Sequence, residues 1–122
     1  MSQHQSFVRF EHDVQHHFRD QLNHAQSPED ARKAFELAMR RMLVAACGEQ
    51  LRIYDDDIAL QPASAPHFSL SEHLAKAPEL VAARQGSDLD AIFQRLAESA
   101  ARRYQQLEQH AVRLQARIQR AH

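Results

Sequence analysis

Apolar residues recur at steps of three and four over the first 25 residues, the spacing that places side chains on one face of a helix. This pattern predicts a first helix over residues 6–25. His12 and His16 project away from the apolar positions, so we expect them to face solvent. The apolar face consists of Phe7, Phe10, Val14, Phe18, Leu22 and Ala25.

A second helix is predicted to begin after Ser27. Ser27, Pro28 and Asp30 have the order of an N-cap residue, a proline in the first turn and an acid at the third helical position. Apolar and charged residues then alternate with a helical period, and residues 42–47 are apolar throughout. We expect this last part to lie in the centre of the core and Gly48 to end the helix.

Residues 49–86 have a less regular pattern. A short β-hairpin is predicted within residues 51–60, where two pairs of alternating apolar residues flank three acids. Two strands are only marginally stable alone, so the hairpin is expected to pack against the helices. Residues 61–69 are predicted to form an extended surface connection, and two short helices are expected on either side of Pro78.

The last apolar pattern is the longest in the chain. Nothing after a capping sequence at Ser87 interrupts a helix, which predicts a final helix of about 34 residues, or roughly 50 Å. Its apolar seam steps almost regularly by three and four residues, the spacing of a coiled coil. The seam residues are Leu89, Phe93, Leu96, Ala100, Tyr104, Leu107, Ala111, Leu114, Ile118 and Ala121.

Together these elements predict an all-α fold, a three- to four-helix bundle with a long C-terminal amphipathic helix and a short β-hairpin at 51–60. A length of 122 residues suits one hydrophobic core, so we expect a single helical domain over residues 1–122. The first two helices are each roughly 30 Å long, and the last helix should therefore extend past them. Its distal seam should meet a second copy or another protein. The predicted interface is Tyr104, Leu107, Ala111, Leu114 and Ile118.

Composition agrees with a helical fold and excludes several functions. The chain has two glycines and four prolines, and its net charge of −1 provides no overall field that would attract nucleic acid or an anionic membrane. No apolar run approaches the roughly 20 residues of a membrane span. Cys47 is the only cysteine, which excludes an intrachain disulfide and favours a reducing compartment. No signal-peptide pattern is present, so we expect a cytoplasmic protein.

Nine histidines, five of them in the first 24 residues, suggest a divalent metal or haem site. Acids and histidines at steps of four, three and four line one flank of the first helix, as the ligands of a metal in a helical bundle would. The residues are Asp13, His17, Asp20 and His24. The second helix offers no matching ligands on its inward face, which favours a solvated flank with i,i+4 pairs. Haem bound by His17 or His67 is a further alternative, without a c-type attachment motif. We therefore expect no resident cofactor.

No other pattern defines a catalytic site. Three successive acids at 55–57 could bind a hard cation, but they lack the alternation of a calcium loop and are interpreted as a solvated turn. His67 lies near Ser69 and Ser71, yet no serine is placed in a nucleophile elbow. These residues therefore do not predict an enzyme.

Arginines near the C terminus form the candidate nucleic-acid site. Residues 91–122 contain six basic and two acidic residues, whereas residues 49–90 contain three and eight. No interleaved aromatic residues or helix-turn-helix pattern accompanies these arginines, and cations are also favoured at a helix C terminus by its dipole. Nucleic acid is therefore the less favoured partner. The candidate residues are Arg103, Arg113, Arg117 and Arg120.

The leading functional hypothesis is a non-enzymatic interaction or regulatory module of unknown pathway that self-associates through its C-terminal helix. The first alternative is a metal- or haem-binding bundle that uses the N-terminal Asp/His flank. The second is nucleic-acid binding through the arginines.

Overall fold

The computed structural model describes the backbone of residues 6–120 and the side chains as far as Ala116. This part of the chain forms five helices and a two-stranded antiparallel sheet. The mostly α fold with a long C-terminal helix and a short hairpin is confirmed. The elements are α1 (Val8–His24), α2 (Pro28–Cys47), β1 (Ile58–Leu60), β2 (Phe68–Leu70), α3 (Glu72–Ala75), α4 (Pro78–Arg84) and α5 (Leu89–Arg120).

Both ends of α2 are formed by the residues that the sequence predicts. The hydroxyl of Ser27 accepts a hydrogen bond from the backbone N–H of Asp30 at 3.2 Å, and Pro28 occupies the first helical position. At the other end Gly48 has a φ of 94°, a conformation that glycine adopts without steric cost, and its N–H donates to the carbonyl of Val44. Local sequence therefore sets the length of this helix.

The hairpin lies further along the chain than expected. Only β1 falls within residues 51–60, and it pairs with β2 in a register that places Ile58 opposite Leu70. Asp57 is the reason, because its carboxylate accepts a hydrogen bond from the N–H of Tyr54 at 2.7 Å and closes a turn just before β1. The three acids therefore precede the hairpin, and its connecting loop is 61–67.

Helices α1 and α5 run in the same direction, with α2 antiparallel to both. The carboxylate of Asp88, just before α5, accepts a hydrogen bond from the N–H of Phe7 at the start of α1, at 2.8 Å. Near the other end of α1, the guanidinium of Arg103 donates to the carbonyls of Leu22 and Ala25 at 3.0 and 3.1 Å. These two contacts align α1 with the first half of α5.

The buried apolar side chains form one cluster that extends from Phe7 to Leu107. Its largest fully buried members come from α2 and α5, including Phe35, Met39 and Phe93. The apolar pattern predicts that Phe10 faces this core, but its side chain is 39% exposed. Glu11 takes the buried position beside it, paired with an arginine of α5, and this rotates Phe10 to the edge.

Candidate interaction surface

The apolar seam of α5 has two parts with different surroundings. As far as Leu107 the seam belongs to the core of this chain: Phe93, Leu96 and Ala100 are fully buried, and Leu107 is 8% exposed. We call residues 89–107 the packed segment. Residues 108–120 continue the same helix, and we call them the extension.

The extension begins where the rest of the molecule ends. Arg103 marks the end of α1 through its bonds to Leu22 and Ala25, and the side chain of Gln105 donates to the carbonyl of Pro62 in the hairpin loop at 2.7 Å. Beyond these contacts every described side chain from Glu108 to Ala116 is exposed. The extension therefore projects from the bundle by roughly 20 Å.

Apolar side chains lie on the extension without cover from this chain. Leu114 is 45% exposed, Val112 is 65% exposed, and Ala111 is also exposed. Leu114 follows Leu107 by seven residues and so lies within about 20° of it around the helix axis. Ala111 and Leu114 thus continue the stripe of side chains that is buried below them, whereas Val112 lies about 140° from Leu107 around the helix axis.

The predicted interface is divided by this boundary. Tyr104 is partly buried against the core and Leu107 is buried. The core of this chain therefore covers the first two residues of the predicted interface. Ala111 and Leu114 are the predicted interface residues that are exposed. The side chain of Ile118 lies outside the described residues.

An ion pair between a half-exposed arginine and a buried glutamate holds the packed segment against α1. Both carboxylate oxygens of Glu11 accept hydrogen bonds from the guanidinium of Arg95, each at 2.8 Å. Glu11 is buried, and its hydrogen bonds to Arg95 raise the pKa of the arginine. The two residues are 84 positions apart in the sequence, so the sequence alone does not pair Glu11 with Arg95. This pair stabilises the part of α5 from which the extension projects.

The four candidate nucleic-acid residues have different surroundings. Arg103 binds the last carbonyls of α1 and so acts within the fold. Arg113 is exposed on the extension, and the side chains of Arg117 and Arg120 lie outside the described residues. Nucleic-acid binding stays an untested hypothesis, with Arg103 engaged elsewhere in this structure.

The N-terminal Asp/His flank is a row of exposed side chains. A ring nitrogen of His24 lies 2.8 Å from the backbone oxygen of Asp20 and 3.5 Å from its carboxylate. Asp13 and His17 are exposed one to two turns earlier. Among the residues described, no three acid, histidine or cysteine side chains come together in a way that could hold a metal ion. The metal and haem hypotheses gain no support from this arrangement.

The acids before the hairpin are not all solvated as expected, since Asp57 is buried. Its carboxylate accepts hydrogen bonds from the Tyr54 N–H and from the Ser71 hydroxyl, both at 2.7 Å. Burial raises the pKa of Asp57, but these hydrogen bonds together with the charges of His73 and Arg40 lower it by more, and the net pKa is below its usual value. The Ser71 hydroxyl also accepts from the Leu74 N–H and caps α3. Asp57 and Ser71 therefore have structural roles.

The remaining polar groups do not define a reaction. An open cleft of about 670 Å³ lies between residues 50–52 and the α3–α4 turn. Its lining contains both positively and negatively charged side chains, including the ion pair of Lys76 with Glu72, and so favours no one charge of ligand. Burial raises the pKa of the Cys47 thiol, and Glu79 raises it further, which opposes a nucleophilic role. Every buried polar atom of the described side chains has a hydrogen-bond partner within the protein, so none of them indicates a bound ligand.

Comparisons of this chain with protein-family models, with curated proteins and with solved structures found no match. In the portion of the chain that the structure describes, none of the helices has the length and apolar character needed to cross a membrane. The extension of α5 is thus the surface with the most direct physical argument for a function.

Proposed function

We propose that this protein is a non-enzymatic interaction module that self-associates through the extension of α5. One observation carries this function: Leu114 continues the buried stripe of α5 but is 45% exposed, beside an exposed Ala111. An apolar stripe at coiled-coil spacing is stabilised when a second helix covers it.

A second copy is the partner because it brings the same stripe with the same spacing. Every described side chain of the extension is exposed, and most helical stability in proteins comes from tertiary packing, so pairing would stabilise both extensions. Burying a leucine contributes on the order of 1 kcal/mol in proportion to the area covered. With so few seam residues the association is weak and reversible. We place the protein in the cytoplasm, where its lone buried thiol would remain reduced.

The oligomeric state of the full chain tests this function. Size-exclusion chromatography with light scattering should give a dimer at tens of micromolar and a monomer after dilution. Leu114→Glu should give a monomer at every concentration, because a carboxylate would be buried in the seam. Gln109→Glu is the matched control: it adds the same charge on the opposite side of the helix and should leave the dimer intact.

A wild-type chain that is monomeric throughout this range would refute self-association. Equal dimerisation of wild type and Leu114→Glu would show that the extension is not the interface. Circular dichroism of each variant checks that the helices are retained.

A further inference from the structure

The seam of the extension faces the same side of α5 as the bundle does. Ala111 lies within about 40° of Leu107 around the helix axis, and Leu114 within about 20°. Below Leu107 this side of α5 is occupied by the chain's own core, in which Leu96 and Ala100 are fully buried. A second helix can therefore lie along the seam only beyond the end of the bundle.

This restriction distinguishes the two directions in which a second copy could pair. In a parallel pair, the partner's packed segment would run beside residues 89–107, in the space that α2 already fills. In an antiparallel pair, the partner's bundle lies beyond the tip of α5, and only the two extensions overlap. The overlap from Leu107 to position 118 is roughly 17 Å long, which fits between the two bundle ends.

The order of the seam residues also favours antiparallel pairing. Positions 107, 111, 114 and 118 are separated by steps of four, three and four, a spacing that reads the same in both directions. Antiparallel pairing can therefore place Ala111 opposite the partner's Leu114, so that a small side chain meets a large one. Parallel pairing would place Ala111 opposite the partner's Ala111 and leave a gap there.

The charges of the extension also favour antiparallel pairing. Residues 108–120 contain three arginines and one glutamate, and parallel pairing would bring the two basic ends side by side. Antiparallel pairing separates these ends and also opposes the two helix dipoles. We infer that two copies pair through antiparallel extensions, each tip lying over the end of the other copy's bundle, an arrangement that rests on the self-association proposed above.

Spin labels at two levels of α1 test the direction while leaving the seam intact. Both proteins carry Cys47→Ser, and each has one new cysteine at an exposed position, Arg9→Cys near the start of α1 or Asn23→Cys near its end. The readout is the distance between the two identical labels in the dimer, measured by pulsed electron spin resonance. Light scattering on the same samples confirms the oligomeric state.

In an antiparallel dimer the distance between labels grows with their distance from the extensions. Arg9 lies 14 residues before Asn23 on a helix that runs alongside α5, so its label pair should be farther apart than the Asn23 pair by roughly 30 Å or more. In a parallel dimer the two label pairs would have similar separations, because the symmetry axis would run along the helices. A dimer with similar separations would overturn the antiparallel arrangement and leave self-association standing. A monomer without coupling between labels would refute both.

Discussion

The packed segment and the extension belong to one helix and have the same apolar spacing, yet their surroundings differ completely. Leu96 is fully buried, whereas Leu114, on the same stripe, is 45% exposed. In the packed segment α1, α2 and the hairpin cover the stripe, and these elements end before the extension begins. Helical spacing therefore determines which side of a helix is apolar, and the lengths of the neighbouring elements determine whether that side is covered within the chain.

The largest expected effect comes from removing one apolar side chain from each region and comparing the free energies of unfolding. Phe93→Ala should lower the free energy of unfolding by about 3–5 kcal/mol, because it leaves a cavity in the core beside Phe68. Leu114→Ala should change the stability of the monomer by less than about 0.5 kcal/mol, as for other exposed sites. Urea unfolding at a concentration low enough to dissociate any dimer measures both. Similar losses would mean that the extension is packed within its own chain.

Two arginines give a second test of intermediate size. Arg103→Ala removes two hydrogen bonds from a guanidinium to the carbonyls at the end of α1 and should cost about 2 kcal/mol. Arg113→Ala removes the same side chain from an exposed position on the extension and should have almost no effect on the monomer. The same unfolding measurements compare the two variants. A negligible effect of Arg103→Ala would show that the end of α1 is not held in this way.

Acid should lower the stability of the folded bundle through Asp57, which has no counterpart on the extension. This is the smallest of the three expected effects on stability. Its pKa is lowered in the folded state, so its contribution is complete above the ordinary pKa of 3.8 and is lost as the pH falls through the folded value. Unfolding midpoints between about pH 6 and pH 2 should therefore fall more steeply for wild type than for Asp57→Asn. Parallel curves for the two proteins would assign the acid sensitivity to other carboxylates.

Sequence reasoning predicts the elements whose limits depend on neighbouring residues. The cap at Ser27, the end of α2 at Gly48 and the length of α5 depend on local chemistry, and each is found in the structure. It also predicts that the C-terminal helix projects past the other helices, because this conclusion needs only helix lengths. The exposure of Ala111 and Leu114, two residues of the predicted interface, therefore follows from the sequence alone.

Contacts between distant residues could not be predicted in the same way. Glu11 and Arg95 are 84 residues apart, and Phe7 and Asp88 are 81 residues apart. Helical periodicity places Glu11 on the apolar face of α1, about 40° from Phe7, and the packing of α5 against α1 makes it the partner of Arg95. The hairpin lies further along the chain than the sequence predicts for a similar reason, because the turn at Asp57 depends on burial and on the hydroxyl of Ser71.

Because α5 is one uninterrupted helix, the rotation of the extension about the helix axis is fixed relative to the packed segment. Each inserted residue would turn the extension by about 100° relative to the bundle and move it by about 1.5 Å. A single insertion near Leu107 would thus leave the core intact but turn Leu114 away from the bundle side, whereas seven residues would restore its direction to within about 20°. The direction of the extension is therefore kept only by insertions close to a whole number of helical turns, such as about seven or eleven residues.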